Sequence, residues 1–198
     1  MRKAIAMLLV LLLLPGCVST ETETDLTDSE SSNDELQGVN IVAKTLGREV
    51  DGTTTYDLLR ESGNNSTLIL WAAAGCNGCH QWTQMIRECI QNGTIPEDSN
   101  IVTVHRYPSF EKMSYVNSTY GNLSSEHYSP WPVLVPEEGD TAWEAATGER
   151  SEVPLTEAFN NPVTPTLQVL DSEGRLIWQS RTYHSDYSVM EEIVGVIA

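Results

Sequence analysis

The sequence predicts an α/β fold with a central mixed β-sheet flanked by helices, and three observations support this prediction. Residues 67–72 form an unbroken apolar run without alternation, which indicates a strand buried on both faces. Residues 76–91 then change to a helical period, and a second apolar run follows at 101–104, so a β-α-β unit is expected. Near the end of the chain, the β-prone segments 163–170 and 175–178 flank a glycine-containing turn, which indicates a hairpin.

The two ends of the predicted domain show weaker patterns of secondary structure. Residues 39–45 and 53–55 are β-prone, and residues 56–61 are compatible with a short helix. Residues 185–198 place their apolar side chains on one stripe, which predicts an amphipathic closing helix capped by Ser185 or Asp186. Together these segments predict one folded domain over residues 39–198.

The segment from about residue 105 to residue 162 lacks a sustained period and is rich in Tyr, Ser, Asn, Pro and Glu. We interpret it as an insertion that precedes the predicted hairpin. Within it, residues 131–135 are predicted as an extra strand, and residues 141–146 or 155–159 as short helices. Trp131 and Trp143 are candidates to line a substrate groove, although aromatic side chains more commonly pack in a core.

The charge of the chain excludes one class of partner. The formal net charge is −17, with 28 acidic against 11 basic residues, and the acidic residues are spread along the whole sequence. Such a surface repels the phosphates of nucleic acids and anionic lipid headgroups. We therefore expect no nucleic-acid partner.

The first residues have the features of an export signal. Arg2 and Lys3 precede an apolar run, 4–14, which is too short to span a bilayer as a helix. The run ends in Leu-Pro-Gly-Cys, which resembles a lipobox, so residues 1–16 are predicted to be a signal peptide and Cys17 the lipidated first residue of the mature protein. An ordinary cleaved signal with an incidental cysteine, or an uncleaved anchor, remains the alternative.

The residues after Cys17 are predicted to form a tether. Residues 18–38 contain seven acidic side chains, no basic one and few apolar ones, so they cannot bury enough surface to offset chain entropy. We expect residues 17–38 to be a disordered acidic segment that holds the domain away from a membrane. The predicted location is therefore the cell membrane, with the lipid-anchored protein facing outside the cytoplasm.

The sequence Cys76-Asn77-Gly78-Cys79 lies where the buried strand is expected to give way to a helix. Unpaired backbone N–H groups and the helix dipole stabilise a thiolate at such a position. Cys76 is therefore the candidate nucleophile of thiol–disulfide exchange. Cys79, one turn further along, is the candidate resolving thiol that attacks the mixed disulfide.

These features resemble the thioredoxin superfamily, and most closely its TlpA/ResA-like membrane-anchored thiol–disulfide oxidoreductases. The resemblance covers residues 39–198, with 105–130 poorly matched, and depends on the Cys-x-x-Cys element and on Val163-Thr164-Pro165-Thr166 at the start of the hairpin. It implies that Pro165 is cis and lies against the cysteine pair. It also implies that the backbone of Thr164 pairs with a bound peptide.

The resemblance further implies the activity and the partners of the protein. The expected function is thiol–disulfide exchange with protein thiols and disulfides, together with a redox partner that regenerates the cysteine pair. No cofactor or metal is implied. Two departures affect the expected potential and speed: Gly75 stands where the family usually has an aromatic residue, and Ile69 and Leu70 stand where cytosolic thioredoxins carry a buried acid.

The same residues permit a different interpretation, because Cys76-Asn77-Gly78-Cys79-His80 also matches the attachment motif of c-type haem. His80 would then be the proximal iron ligand. The β-strand before the motif and the hairpin after it argue against this, since small c-type cytochromes are mostly helical. In the favoured interpretation His80 is a helix-surface residue near the thiolate.

Two further alternatives involve cysteine without catalysis. A thioredoxin-fold binding module could carry Cys76 and Cys79 as a structural disulfide, although so small a ring adds little stability. A structural zinc site requires two more ligands, and the other histidines, His105, His127 and His184, do not provide a recognisable spacing. These three are interpreted as surface or locally hydrogen-bonded residues. Cys89 is in helical phase with the apolar residues and is predicted to be a buried free thiol.

Overall fold

The computed structural model describes residues 37–197, so the predicted signal peptide, Cys17 and nearly all of the acidic segment lie outside the described residues. The strands are β1 (Val39–Asn40), β2 (Val42–Lys44), β3 (Thr55–Asp57), β4 (Thr67–Ala72), β5 (Asn100–His105), β6 (Val133–Leu134), β7 (Thr141–Glu144), β8 (Arg150–Pro154), β9 (Thr166–Leu170) and β10 (Leu176–Ser180). The α-helices are α1 (Leu58–Ser62), α2 (Asn77–Gln91), α3 (Met113–Val116), α4 (Leu155–Ala158) and α5 (Tyr187–Ile197). Glu49–Asp51 forms a 3-10 turn and Asn117–Gly121 a π-helical turn. No helix in this range combines the length and the apolar character that crossing a membrane requires.

The central sheet has five strands in the order β10-β9-β4-β5-β6. Strand β4 pairs parallel with β5 and antiparallel with β9, and β6 extends the sheet parallel to β5. Strands β9 and β10 form the predicted antiparallel hairpin. This arrangement confirms the predicted α/β class with a mixed central sheet.

Strand β4 lies in the middle of this sheet and is buried along its whole length. Leu68 and Leu70 pack on one face with apolar side chains of α2 and α5. Ile69 and Trp71 pack on the opposite face with residues of β1, β5, α1 and α4. The unbroken apolar run is explained by this double burial, because both sets of alternating side chains face a core.

A second layer covers the face of the sheet opposite α2 and α5. It contains a three-stranded antiparallel sheet in the order β1-β7-β8 and the hairpin β2-β3. The segment 39–45, predicted as one strand, therefore divides between two sheets. Gly38 is fixed at its start, since the Ala145 N–H donates to the Gly38 carbonyl at 3.1 Å.

The predicted helix at 141–146 is wrong, because Thr141–Glu144 is strand β7. Its pairing with β1 and β8 buries Ala142 completely, and this tertiary pairing outweighs the local helical pattern. The other helix suggested for the insertion, at 155–159, is confirmed as α4. The extra strand at 131–135 is confirmed in a shorter form as β6.

A buried arginine holds the insertion to the first part of the domain. The Arg48 guanidinium donates to the carbonyl oxygens of Tyr120 at 2.9 Å, Ser129 at 2.7 Å and Trp131 at 2.8 Å. It also pairs with Asp51 at 2.6 Å, and the side chains of Arg48 and Asp51 are 11% and 0% exposed. Arg48 thus satisfies three backbone carbonyls and one buried carboxylate at once.

Removal of the Arg48 guanidinium should destabilise the folded protein. We expect Arg48→Met, which keeps the length of the side chain, to lower the free energy of unfolding by about 3–5 kcal/mol, because it leaves Asp51 buried without its cation. Arg60→Met is the matched control, since Arg60 pairs with Glu61 at a side-chain exposure of 66% and should leave stability nearly unchanged. Urea unfolding measures both. Equal effects of the two substitutions would contradict this assignment.

Candidate active site

The two cysteines of the Cys-x-x-Cys motif form a disulfide at the junction between β4 and α2. Cys76 is the N-cap of α2, and its sulfur accepts a hydrogen bond from the Cys79 N–H at 3.1 Å. Cys76 is partly exposed, whereas Cys79 is completely buried beneath it. Cys76 is therefore the sulfur that a partner can reach.

The predicted proline lies beside this disulfide. The Thr164–Pro165 peptide bond is cis, as the resemblance implied. Gly78, inside the motif, faces Pro165, and a Cβ built on Gly78 would lie 3.2 Å from Pro165 Cδ. The same Cβ would overlap the carbonyl oxygen of Tyr183. Close contact with Pro165 and Tyr183 thus explains the small residue at position 78.

The loop between β4 and Cys76 is held by side chains from two other parts of the chain. The Tyr120 hydroxyl donates to the Ala73 carbonyl at 2.8 Å. His80 Nε2 lies 2.8 Å from the Ala74 carbonyl and donates to it, because a carbonyl oxygen only accepts. These bonds fix the backbone that leads into Cys76 from both the insertion and helix α2.

The most notable group in this loop is the carboxylate of Glu111. Its Oε2 atom accepts from the Ala74 N–H at 2.7 Å and its Oε1 atom from the Gly75 N–H at 2.8 Å. His105 Nε2 donates to Oε2 at 2.9 Å, and the His105 side chain is 1% exposed. One carboxylate therefore satisfies two backbone donors and one imidazole donor.

Glu111 is ionised in this setting. Burial raises its pKa, but the hydrogen bonds from Ala74, Gly75 and His105 together lower the pKa below its ordinary value. A carboxyl group whose pKa is lowered by folding stabilises the folded state at pH values above its pKa in the unfolded chain. That contribution is lost as the pH falls through the folded pKa.

Sequence reasoning did not find Glu111 or Tyr120, and it did not predict that His105 is part of the site. His105 was interpreted as a surface or locally bonded residue, and it is buried and bonded to Glu111. One signal could have found it: His105 directly follows a predicted buried strand parallel to β4, and carboxyl ends of parallel strands meet at one edge of a sheet. Glu111 lies in irregular chain and Tyr120 in the π-helical turn Asn117–Gly121, and neither carries such a signal.

The other histidines have local partners. His80 is partly buried, and its ring stacks on that of His127 with centroids 3.8 Å apart. Burial and the neighbouring His80 lower the pKa of His127. His184 is exposed, and its Nδ1 atom lies 3.1 Å from Oε1 of Gln81. Within residues 37–197, no cluster of three or more His, Cys, Asp or Glu side chains could hold a metal ion.

The remaining singled-out residues belong to the core and the second layer. Cys89 is a buried free cysteine, as predicted, and burial raises the pKa of its thiol. Trp131 is buried in the core, and its Nε1 atom donates to the Thr103 hydroxyl at 2.9 Å, so it packs between the insertion and the central sheet. Trp143 lies on β7 opposite Asn40 of β1.

Solved structures share this architecture. The exposed lipoprotein thioredoxin Etrx1 of Streptococcus pneumoniae is 18% identical with a TM-score of 0.54, and the match covers 79% of this chain and 98% of that one. The thioredoxin domain of a thiol-disulfide oxidoreductase from Bacteroides vulgatus is 13% identical with a TM-score of 0.55, covering 80% and 94%. The chain has a thioredoxin-like fold.

A third structure with this fold comes from Mycobacterium tuberculosis. It is a secreted disulfide oxidoreductase that is 12% identical with a TM-score of 0.52, and the match covers 84% of this chain and 98% of that one. No protein-family model and no curated protein sequence matches the chain. The likeness is therefore one of architecture, and the thioredoxin-like fold places the Cys76–Cys79 disulfide at the start of α2 beside a cis-proline.

The contact of Gly78 with Pro165 and Tyr183 predicts opposite effects for two helical glycines. Gly78→Ala should lower the free energy of unfolding by about 1–3 kcal/mol, because the new methyl group displaces the Tyr183 backbone. Gly195→Ala, at an exposed position of α5, meets no described atom within 4 Å and should raise stability by up to about 1 kcal/mol. Urea unfolding of both oxidised proteins tests this, and a stabilised Gly78→Ala protein would contradict the contact.

Proposed function

We propose that the protein is a thiol–disulfide oxidoreductase that acts on protein thiols and disulfides through Cys76 and Cys79. The observation that carries this proposal is partly exposed Cys76 at the N-terminus of α2, bonded to buried Cys79, with Gly78 between them facing Pro165 of the cis Thr164–Pro165 bond. Cys76 is the nucleophile and Cys79 the resolving thiol. Thr164 and Pro165 form the loop on which the partner peptide docks.

Reduction of a partner proceeds in two exchanges. The Cys76 thiolate attacks one sulfur of the partner disulfide, forms a mixed disulfide and releases the other partner sulfur as a thiolate that takes up a proton. Cys79, after losing its proton, attacks the Cys76 sulfur, which restores the Cys76–Cys79 disulfide and releases the second partner thiol. Two electrons and two protons pass from the cysteine pair to the substrate protein. A separate redox partner then supplies two electrons and two protons that restore the dithiol. Oxidation of a dithiol is the reverse sequence.

The backbone at the start of α2 supports the first exchange. The Cys79 N–H points at the Cys76 sulfur, and the helix N-terminus adds a positive partial charge at this position. Both stabilise the attacking thiolate. The burial of Cys79 restricts its sulfur to attack from within the mixed disulfide, because a bulky partner cannot reach it directly.

The haem alternative is poorly supported. Covalent attachment of haem requires both sulfurs to bond to the porphyrin, and Cys79, in the first turn of α2, is completely buried among core residues. The Nε2 atom of His80, which would ligate the iron, is engaged with the Ala74 carbonyl, and its ring stacks on His127. Absorbance of the purified protein tests this, since covalently held haem gives a Soret band.

Substitution of each cysteine should separate the two chemical steps. Cys76→Ser should abolish disulfide reduction in an insulin turbidity assay, because the nucleophile is lost. Cys79→Ser should accumulate mixed disulfides that non-reducing electrophoresis detects, because the resolving thiol is lost. Cys89→Ala is the control and should retain turnover. Full turnover by both Cys76→Ser and Cys79→Ser would refute the mechanism.

A thioredoxin-fold binding module with a structural disulfide is the competing class of function. The reduction potential discriminates, because structural disulfides lie below about −300 mV and catalytic ones above. Equilibration of the protein in defined glutathione buffers, with thiol trapping, measures this value. A pair that stays oxidised throughout would favour the binding module.

We also propose that the protein is a TlpA/ResA-like, membrane-anchored enzyme that works outside the cytoplasm, attached through lipid on Cys17. The support is the export signal at residues 1–16, the cysteine that follows it and the acidic segment to residue 38. Two of the similar structures agree with such a location, since one is named an exposed lipoprotein and another a secreted oxidoreductase.

The anchor can be tested independently of redox activity. Cys17→Ser should prevent incorporation of a radiolabelled fatty acid and move the protein from the membrane fraction to the soluble fraction. Cys89→Ala should keep the label, because that cysteine is buried in α2. Labelling of Cys17→Ser equal to that of the unsubstituted protein would rule out this attachment site.

A further inference from the structure

The loop before Cys76 is bonded to a charged group that the exchange mechanism does not use. Glu111 accepts from the N–H groups of Ala74 and Gly75, the two residues directly before Cys76. Its side chain is 15% exposed, and it accepts a third bond from buried His105. A carboxylate with three donors at low exposure is fixed in place and ionised at neutral pH.

The position of this charge brings it close to the reactive sulfur. Glu111 Oε1 is 2.8 Å from Gly75 N, and covalent geometry then limits its distance from Cys76 Sγ to roughly 10 Å. This is about one Debye length at physiological ionic strength, so solvent ions do not remove the interaction at a partly buried site. The charge of the Glu111 carboxylate therefore acts on the Cys76 sulfur.

The charge acts differently on the two redox states. The Cys76–Cys79 disulfide is neutral, whereas the reduced pair carries a negative charge when Cys76 ionises. The carboxylate of Glu111 repels that thiolate, and this repulsion opposes the stabilisation by the N-terminus of α2. It therefore disfavours the reduced, ionised form relative to the disulfide.

Three other titratable side chains lie around Glu111 and the loop that it holds, namely Tyr115, Tyr120 and His105. Tyr115 lies beside Gly75, with its hydroxyl 3.8 Å from a Cβ built there. Tyr120 comes from the insertion, and burial, followed by the charge of Glu111, raises the pKa of its hydroxyl. His105, at the end of β5, donates to the carboxylate.

We propose that Glu111, oriented by His105, is a positioning residue that lowers the reduction potential of the Cys76–Cys79 pair. This inference rests on the proposed function, because a potential has meaning here only for a pair that exchanges. Through its backbone bonds Glu111 holds the loop that presents Cys76. Through its charge it makes the dithiol a stronger reductant than the same loop without a carboxylate.

Two variants of Glu111 test the inference in defined glutathione buffers. Glu111→Gln should shift the equilibrium constant several-fold towards the dithiol at pH 7, which for a tenfold change corresponds to about 30 mV higher potential. It should also move the midpoint of Cys76 alkylation to lower pH. Glu111→Asp keeps the charge and should remain close to the unsubstituted value.

The matched control is Glu97→Gln, which removes the same charge from an exposed site beyond the far end of α2. A helix of this length is about 22 Å long, so Glu97→Gln should leave the potential unchanged. If Glu111→Gln does not fold, Glu111→Ser carries the same expectation, because it removes the charge and opens the N–H groups to water. The potential is a readout that a merely structural role of Glu111 would not move in this direction.

The possible failures are distinguishable. A Cys76–Cys79 pair that does not exchange with glutathione at all refutes the proposed function. A pair that exchanges normally, with Glu111→Gln and Glu97→Gln at the same potential as the unsubstituted protein, refutes the role of Glu111 alone. A lower potential in Glu111→Gln would also overturn it, because the sign of the electrostatic effect would be wrong.

Discussion

Burial of β4 on both faces is the constraint from which the geometry of the site follows. A strand enclosed by two cores occupies the middle of the sheet, so its carboxyl end is flanked by both neighbouring strands. Ala72 at that end is opposite His105 of β5, and Trp71 is opposite Thr166 of β9. Because β9 runs antiparallel, its amino end brings Pro165 to the edge at which α2 begins. The disulfide, the cis-proline and His105 meet there as a consequence of strand direction.

The parts that the sequence predicted correctly are those with a local cause. The apolar run of β4, the helical period of α2 and the hairpin after Pro165 depend on neighbouring residues in the chain, and all three are present. Strand β7 was mistaken for a helix because its pairing partners, β1 and β8, are set by the tertiary structure. Glu111 was missed for a related reason: its bonds to Ala74 and Gly75 depend on the path of an irregular segment, which periodicity does not describe.

That irregular segment is ordered by polar contacts as well as by apolar packing. Arg48 binds three of its carbonyl groups, and in turn Tyr120 and Glu111 bind the loop before Cys76. The segment buries apolar side chains such as Val116, Trp131 and Phe159, and the bonds from Arg48 to its carbonyl groups add to this packing in fixing its path. The insertion is therefore joined to the reactive loop through hydrogen bonds, and the position of Cys76 depends on residues more than thirty positions away in sequence.

Two electrostatic effects of opposite sign act at Cys76. The N-terminus of α2 and the Cys79 N–H favour a thiolate, and they belong to the Cys-x-x-Cys element itself. The carboxylate of Glu111 disfavours it and comes from outside that element. In the proposed mechanism the helix terminus supports the nucleophile, so a weaker helix terminus would also reduce reactivity. A carboxylate on the preceding backbone provides an independent means of setting the redox equilibrium, because it changes the free energy of the reduced state while the sulfurs and the helix stay in place.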